Sequence, residues 1–90
     1  MKFINQILEI KPFEIIVLFN NNEKRKINFA PMLENFPSLK DEKIFSTVTL
    51  DDYPTLKWDG LATIEDYDGI RKPAPLDFCP DTLFEMSVPV

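Results

Sequence analysis

The sequence predicts an α+β domain, with a single antiparallel sheet of about five strands and two or three short helices packed on one face. Two patterns point there. Alternating, β-branched stretches recur between turn signals, and prolines open segments with room for only a turn or two of helix. At 90 residues, 44% hydrophobic and 28% charged, the chain reads as one globular domain over residues 1–90, able to build a modest core. A deep enclosed cleft is not expected at this size, so surface binding is the first functional expectation.

Phe3 to Lys11 carries apolar residues on both parities and reads as a first strand ended by Pro12. Glu14 to Phe19 follows, apolar on both faces, as a central strand is. Asn20, Asn21, Asn22 and Glu23 form a turn because asparagine tolerates left-handed backbone, and Lys24 to Phe29 returns with Ile27 and Phe29 inward. Pro31 opens a short helix with Met32, Leu33 and Phe36, which Pro37 ends. Ser38 is the expected N-cap of a second helix with Asp41 and Glu42 in its first turn. Ser46 to Leu50 and Thr55 to Trp58 read as paired strands, and Asp59-Gly60 as a turn. Leu61 to Pro75 reads as a loop with a strand near Ala62 to Ile64. Pro80 then opens a last helix through about Met86. The expected core is Ile15, Val17, Phe19, Ile27, Phe29, Leu33, Leu39, Phe45, Val48, Leu56, Trp58 and Leu83.

Composition narrows the chemistry. The chain has no histidine, which excludes histidine-based triads, His-containing zinc sites and any imidazole general base. Gly60 and Gly69 are the only glycines, too few for a phosphate-binding loop. Cys79 is the only thiol, which fits a reducing, cytoplasmic home. The early apolar residues are interrupted by Asn5, Gln6, Glu9 and Lys11, and the longest apolar run is Ile15 to Phe19, so neither a signal-peptide core nor a membrane-spanning helix is expected.

Charge is unevenly placed. Residues 1–45 carry seven basic and six acidic side chains, whereas residues 46–90 carry three and nine, a net of −6. An acidic half repels a phosphate backbone and attracts a basic protein surface, although acidic surfaces also serve solubility alone.

Three clusters fall in a recognisable order: Ile27-Asn28-Phe29-Ala30-Pro31-Met32-Leu33; Leu39-Lys40-Asp41 with Phe45 and Val48; and Leu56-Lys57-Trp58-Asp59-Gly60 with Leu76-Asp77 through Pro80-Asp81-Thr82-Leu83. In these the chain resembles the domain of unknown function (DUF) family 2442, over nearly its whole length. It departs from that pattern at the Asn21-Asn22 turn, at Asn28, and in a lengthened link from Leu61 to Pro75. The resemblance implies a small bacterial α+β domain without catalytic residues to carry over; some members are similar to antitoxin-like or regulatory proteins.

Individual candidates resolve mostly to structural roles. Glu65-Asp66-Tyr67-Asp68-Gly69 suggests a calcium loop, but with Gly69 sixth the first and twelfth positions are Ile64 and Pro75, so the required carboxylates are missing. Asp51-Asp52 reads as a solvated turn rather than an acid–base pair. Cys79 reads as helix-start geometry, because Asp77 and Asp81 oppose a thiolate. Lys24-Arg25-Lys26 is the only basic cluster and could enter a DNA groove, but neutralises few phosphates. Trp58 reads first as a core anchor; exposed, it would join Tyr53, Tyr67 and Phe78 in an aromatic hot spot.

The expected function is therefore a non-enzymatic, antitoxin-like interaction module without cofactor or metal. Its interface is expected at Tyr53, Trp58, Glu65, Asp66, Tyr67 and Asp68, meeting a basic protein. The alternative is a DNA-associated transcriptional regulator using the basic hairpin. Nucleic acid and membrane are not the expected partners of the leading reading.

Overall fold

The computed structural model describes residues 1–65 and 69–90, and it holds two sheets rather than the single five-stranded sheet expected. The first has the order β1-β2-β3-β7, built from β1 (Ile4–Lys11), β2 (Glu14–Phe19), β3 (Lys24–Asn28) and β7 (Ser87–Pro89). The second has the order β4-β5-β6, from β4 (Thr49–Leu50), β5 (Leu56–Glu65) and β6 (Arg71–Asp77). All pairings are antiparallel. The described residues are mostly β, with two short α-helices among them, α1 (Glu42–Phe45) and α2 (Pro80–Met86).

The first hairpin follows the alternation in the sequence. Ile15, Val17 and Phe19 of β2 are buried while Glu14, Ile16 and Leu18 are half-buried, and β2 lies between β1 and β3 as its two apolar faces require. Asn22 takes the turn's left-handed conformation with φ 67°. The chain then crosses the core through 3-10 turns at Ala30–Met32 and Pro37–Lys40, each with proline at its start. After it, β4 and β5 pair with each other and with β6 rather than with the first sheet. The sheets meet through the amide of Ile4, which donates to the carbonyl of Pro54 at 2.9 Å.

Several local expectations change for physical reasons. Asp41, not Ser38, caps α1: its carboxylate accepts the amides of Lys43 and Ile44 at 2.9 and 3.3 Å. Asp41→Ala should cost about 1 kcal/mol, read as a lower urea midpoint at unchanged m. The strand expected from Ser46 shortens to Thr49–Leu50 because the Ser46 and Thr47 hydroxyls donate to helix carbonyls of Lys43 and Ile44 at 2.8 and 2.7 Å. Asp59-Gly60 does not turn the chain back. Gly60, at φ 76°, lies within the shift of register between Trp58 and Ala62, and β5 runs on to Glu65. Most of the expected 61–75 loop is thus a β-hairpin, including the strand expected near Ala62 to Ile64. The molecule is elongated, with extents of 45 × 27 × 18 Å.

The core lies between the sheets. Phe29 meets Phe45, Trp58 and Phe78 at ring separations of 5.7, 5.5 and 5.8 Å. Trp58 is fully buried and its indole N–H donates to the carbonyl of Phe45 at 2.9 Å. Leu33 is only half-buried, and Ile4, absent from the expected core, is fully buried. At the far end, α2 starts at Pro80 as expected and Leu83 faces the core. Ser87 begins the unexpected strand β7 against Ile27.

Candidate interaction surfaces

The aromatic hot spot does not assemble. Trp58 and Phe78 pack together in the core at 5.8 Å, so neither presents the broad face an interface needs. Tyr53 is exposed and stacks edge-on against Phe3 at 5.3 Å, apart from the core cluster. Of the remaining expected interface residues, Asp66, Tyr67 and Asp68 lie outside the described residues. Glu65 closes β5 opposite Arg71, and only its backbone is described.

Strand alternation also divides the basic cluster. Arg25 turns toward the Ser87 end of the core: its Nε donates to the Ser87 hydroxyl at 2.6 Å, another guanidinium nitrogen donates to the Ser87 carbonyl at 2.9 Å, and the group lies 4.3 Å from the Phe84 ring centre. It is committed to structure. Lys26, on the opposite face, lies 3.9 Å from the Glu14 carboxylate. Only Lys24 of the three has no side-chain partner among the described residues, so the hairpin is not a three-charge phosphate clamp.

Asp51 and Asp52 form the expected turn, with the Asp51 carboxylate accepting the Asp52 amide at 2.7 Å and the Asp51 amide donating to Thr55 at 3.0 Å. Cys79 is exposed at the start of α2 and its side chain makes no capping bond. Among the described residues no three His, Cys, Asp or Glu side chains converge as a metal site, and no helix is long and apolar enough to cross a membrane.

Two surfaces remain. The outer face of the first sheet holds a shallow cavity of about 210 Å³ lined by Glu9, Lys11, Glu14, Ile16, Lys26 and Val88. Its charges compensate one another, with Glu9 and Lys11 3.4 Å apart. The outer face of the second sheet is acidic. Lys57 stands opposite Asp77 across β5 and β6, and its ammonium lies 3.2 Å from Asp59. The hydrogen bond that Lys57 donates to Asp59, the charge of Asp59, and the more distant charges of Asp51 and Asp52 hold the Lys57 pKa above the ordinary lysine range.

That arrangement was legible in part, since Lys57 and Asp59 share a strand parity while Asp77 joins them only through the hairpin register. Because the folded pKa is raised, the stabilisation is fully present below the ordinary lysine pKa and fades as pH rises through the raised value. Asp59→Asn should remove most of this alkaline dependence, as measured by denaturant midpoints across high pH. Protein-family models, curated proteins and solved structures offer no match to the chain.

Proposed function

We propose that this chain is a non-enzymatic interaction module that receives a basic protein partner on the outer face of its second sheet. The supporting observation is the environment of Lys57: its ammonium is already held by Asp59, with Asp51, Asp52 and Asp77 around it. The excess of carboxylates gives the face a negative field that attracts lysine- and arginine-rich surfaces and repels phosphate. An antitoxin-like role and the resemblance to DUF family 2442 belong to the same proposal, as does a cytoplasmic setting. The commitment of Arg25 to Ser87 and Phe84 weighs against the DNA-regulator alternative.

A fluorescent lysine-rich peptide and a DNA duplex serve as probes. The peptide should bind with an affinity that falls as salt rises, and Asp51→Lys with Asp52→Lys and Asp77→Lys should weaken it about tenfold or more. Glu34→Lys with Glu42→Lys, reversing two acidic residues outside that sheet, should change binding much less. Equal effects of the two charge reversals, or duplex binding by the unmodified chain at about 150 mM salt, would reject the reading.

A further inference from the structure

A sheet edge accepts another strand only where backbone groups are free and no proline interrupts them. Three of the four edges here are poor templates. β6 contains Pro73 and Pro75, β7 is three residues long and contains Pro89, and β4 has two residues. β1 is eight residues long without proline. Its first residue is occupied, because the Ile4 amide reaches Pro54, and its register shifts between Ile4 and Gln6 and between Ile7 and Glu9. The regular stretch left uncovered is Glu9–Lys11, flanked by Leu8.

The direction of the free backbone groups on that stretch follows from the register. Phe19 donates its amide to Glu23, on the β3 side, so alternate residues of β2, including Ile15, also direct their groups toward β3. Ile15 is opposite Ile10, which makes that pair non-hydrogen-bonded and points the Ile10 N–H and C=O outward at the free edge of the sheet. The Ile10 side chain is 37% exposed and that of Leu8 40%, apolar surface that an added strand would cover.

We infer that β1 pairs antiparallel with β1 of a second copy of this chain about a two-fold axis at Ile10, joining two four-stranded sheets into one of eight strands. Two independent features select this register. The outward N–H and C=O of Ile10 form a reciprocal hydrogen-bonded pair with the same residue of the other copy. The flanking residues are Glu9 and Lys11, so a dyad at Ile10 sets each Glu9 opposite a Lys11 of the other copy. A dyad at Glu9 or Lys11 would instead oppose like charges, which is unfavourable across a sheet. The existing Glu9–Lys11 pair within each chain, 3.4 Å apart, would then become part of a four-charge row on the outer face. The contact is isologous, so it closes at two copies rather than propagating.

The test is sedimentation equilibrium with the full chain and two exposed charge variants. The unmodified chain should shift from 10.5 kDa toward twice that mass with concentration. Glu9→Lys and Lys11→Glu should each weaken self-association about tenfold, because both cross-strand pairs become repulsive. Mixed together, these two variants should form a heterodimer, and the double variant E9K/K11E should recover the homodimer. Circular dichroism and the unfolding midpoint should stay near those of the unmodified chain, separating lost association from lost fold. A chain that remains at 10.5 kDa up to about 1 mM would overturn the inference. A dimer indifferent to either single reversal would also overturn it, because it would be held by another surface.

Discussion

Trp58→Ala is expected to cost about 3–5 kcal/mol, a large part of the roughly 5–15 kcal/mol that holds a domain folded. The indole is fully buried and touches Phe29, Phe45 and Phe78, so truncation removes the largest buried side chain of the core. It also leaves the carbonyl of Phe45 without its donor. Trp58→Phe separates these effects by keeping an aromatic ring and losing the N–H, and should cost about 1–3 kcal/mol plus a small packing loss. Urea unfolding followed by circular dichroism measures both. In the unmodified protein, Trp58 emission should be blue-shifted when folded and move to longer wavelength on unfolding. A loss below about 1 kcal/mol for Trp58→Ala would contradict its place at the centre of the core.

Phe29→Ala should cost a comparable amount, about 3–5 kcal/mol, although the residue comes from the other sheet's side of the core. Phe29 follows β3 directly, donates its amide to the Phe13 carbonyl at 2.8 Å, and projects a fully buried ring between Phe45, Trp58 and Phe78. Its planes with Trp58 are inclined at 83°, the edge-to-face arrangement in which ring quadrupoles attract. A double-mutant cycle with Phe29→Leu and Trp58→Leu should therefore show a coupling of about 0.5–1.5 kcal/mol. Additive losses would mean that the two sheets are stabilised independently.

Both expectations rest on residues that the sequence marks as inward, and this is where it is most informative. Ile15, Val17, Phe19, Ile27 and Phe29 announce their faces by alternation, and all are buried. Pro31, Pro37 and Pro80 announce helical starts through the fixed proline φ, and each lies in the first turn of a short helix. Asp41 shows the limit of that local reading. Any of several small polar residues near Ser38 could cap a helix, and the choice falls on Asp41 because Pro37–Lys40 tightens into a separate 3-10 turn. Gly60 shows another limit, since a left-handed glycine serves a turn or a bulge equally well and only its pairing partners distinguish them.

The surfaces were less legible than the core. Lys24, Arg25 and Lys26 are adjacent in sequence, yet strand geometry sends Arg25 to Ser87 and Lys26 to Glu14. Lys57 and Asp77 are far apart in sequence and become direct neighbours only in the β5–β6 register. The sequence alone determined the strands of the first hairpin, nearly all of the core, and the exclusion of histidine-dependent chemistry, because these follow from side-chain identity and short-range periodicity. Tertiary structure decided the division into two sheets, the extension of β5 beyond Gly60, the strand β7 and the exposed edge of β1. Each depends on long-range pairing, which selects among backbone arrangements that local preferences leave close in energy.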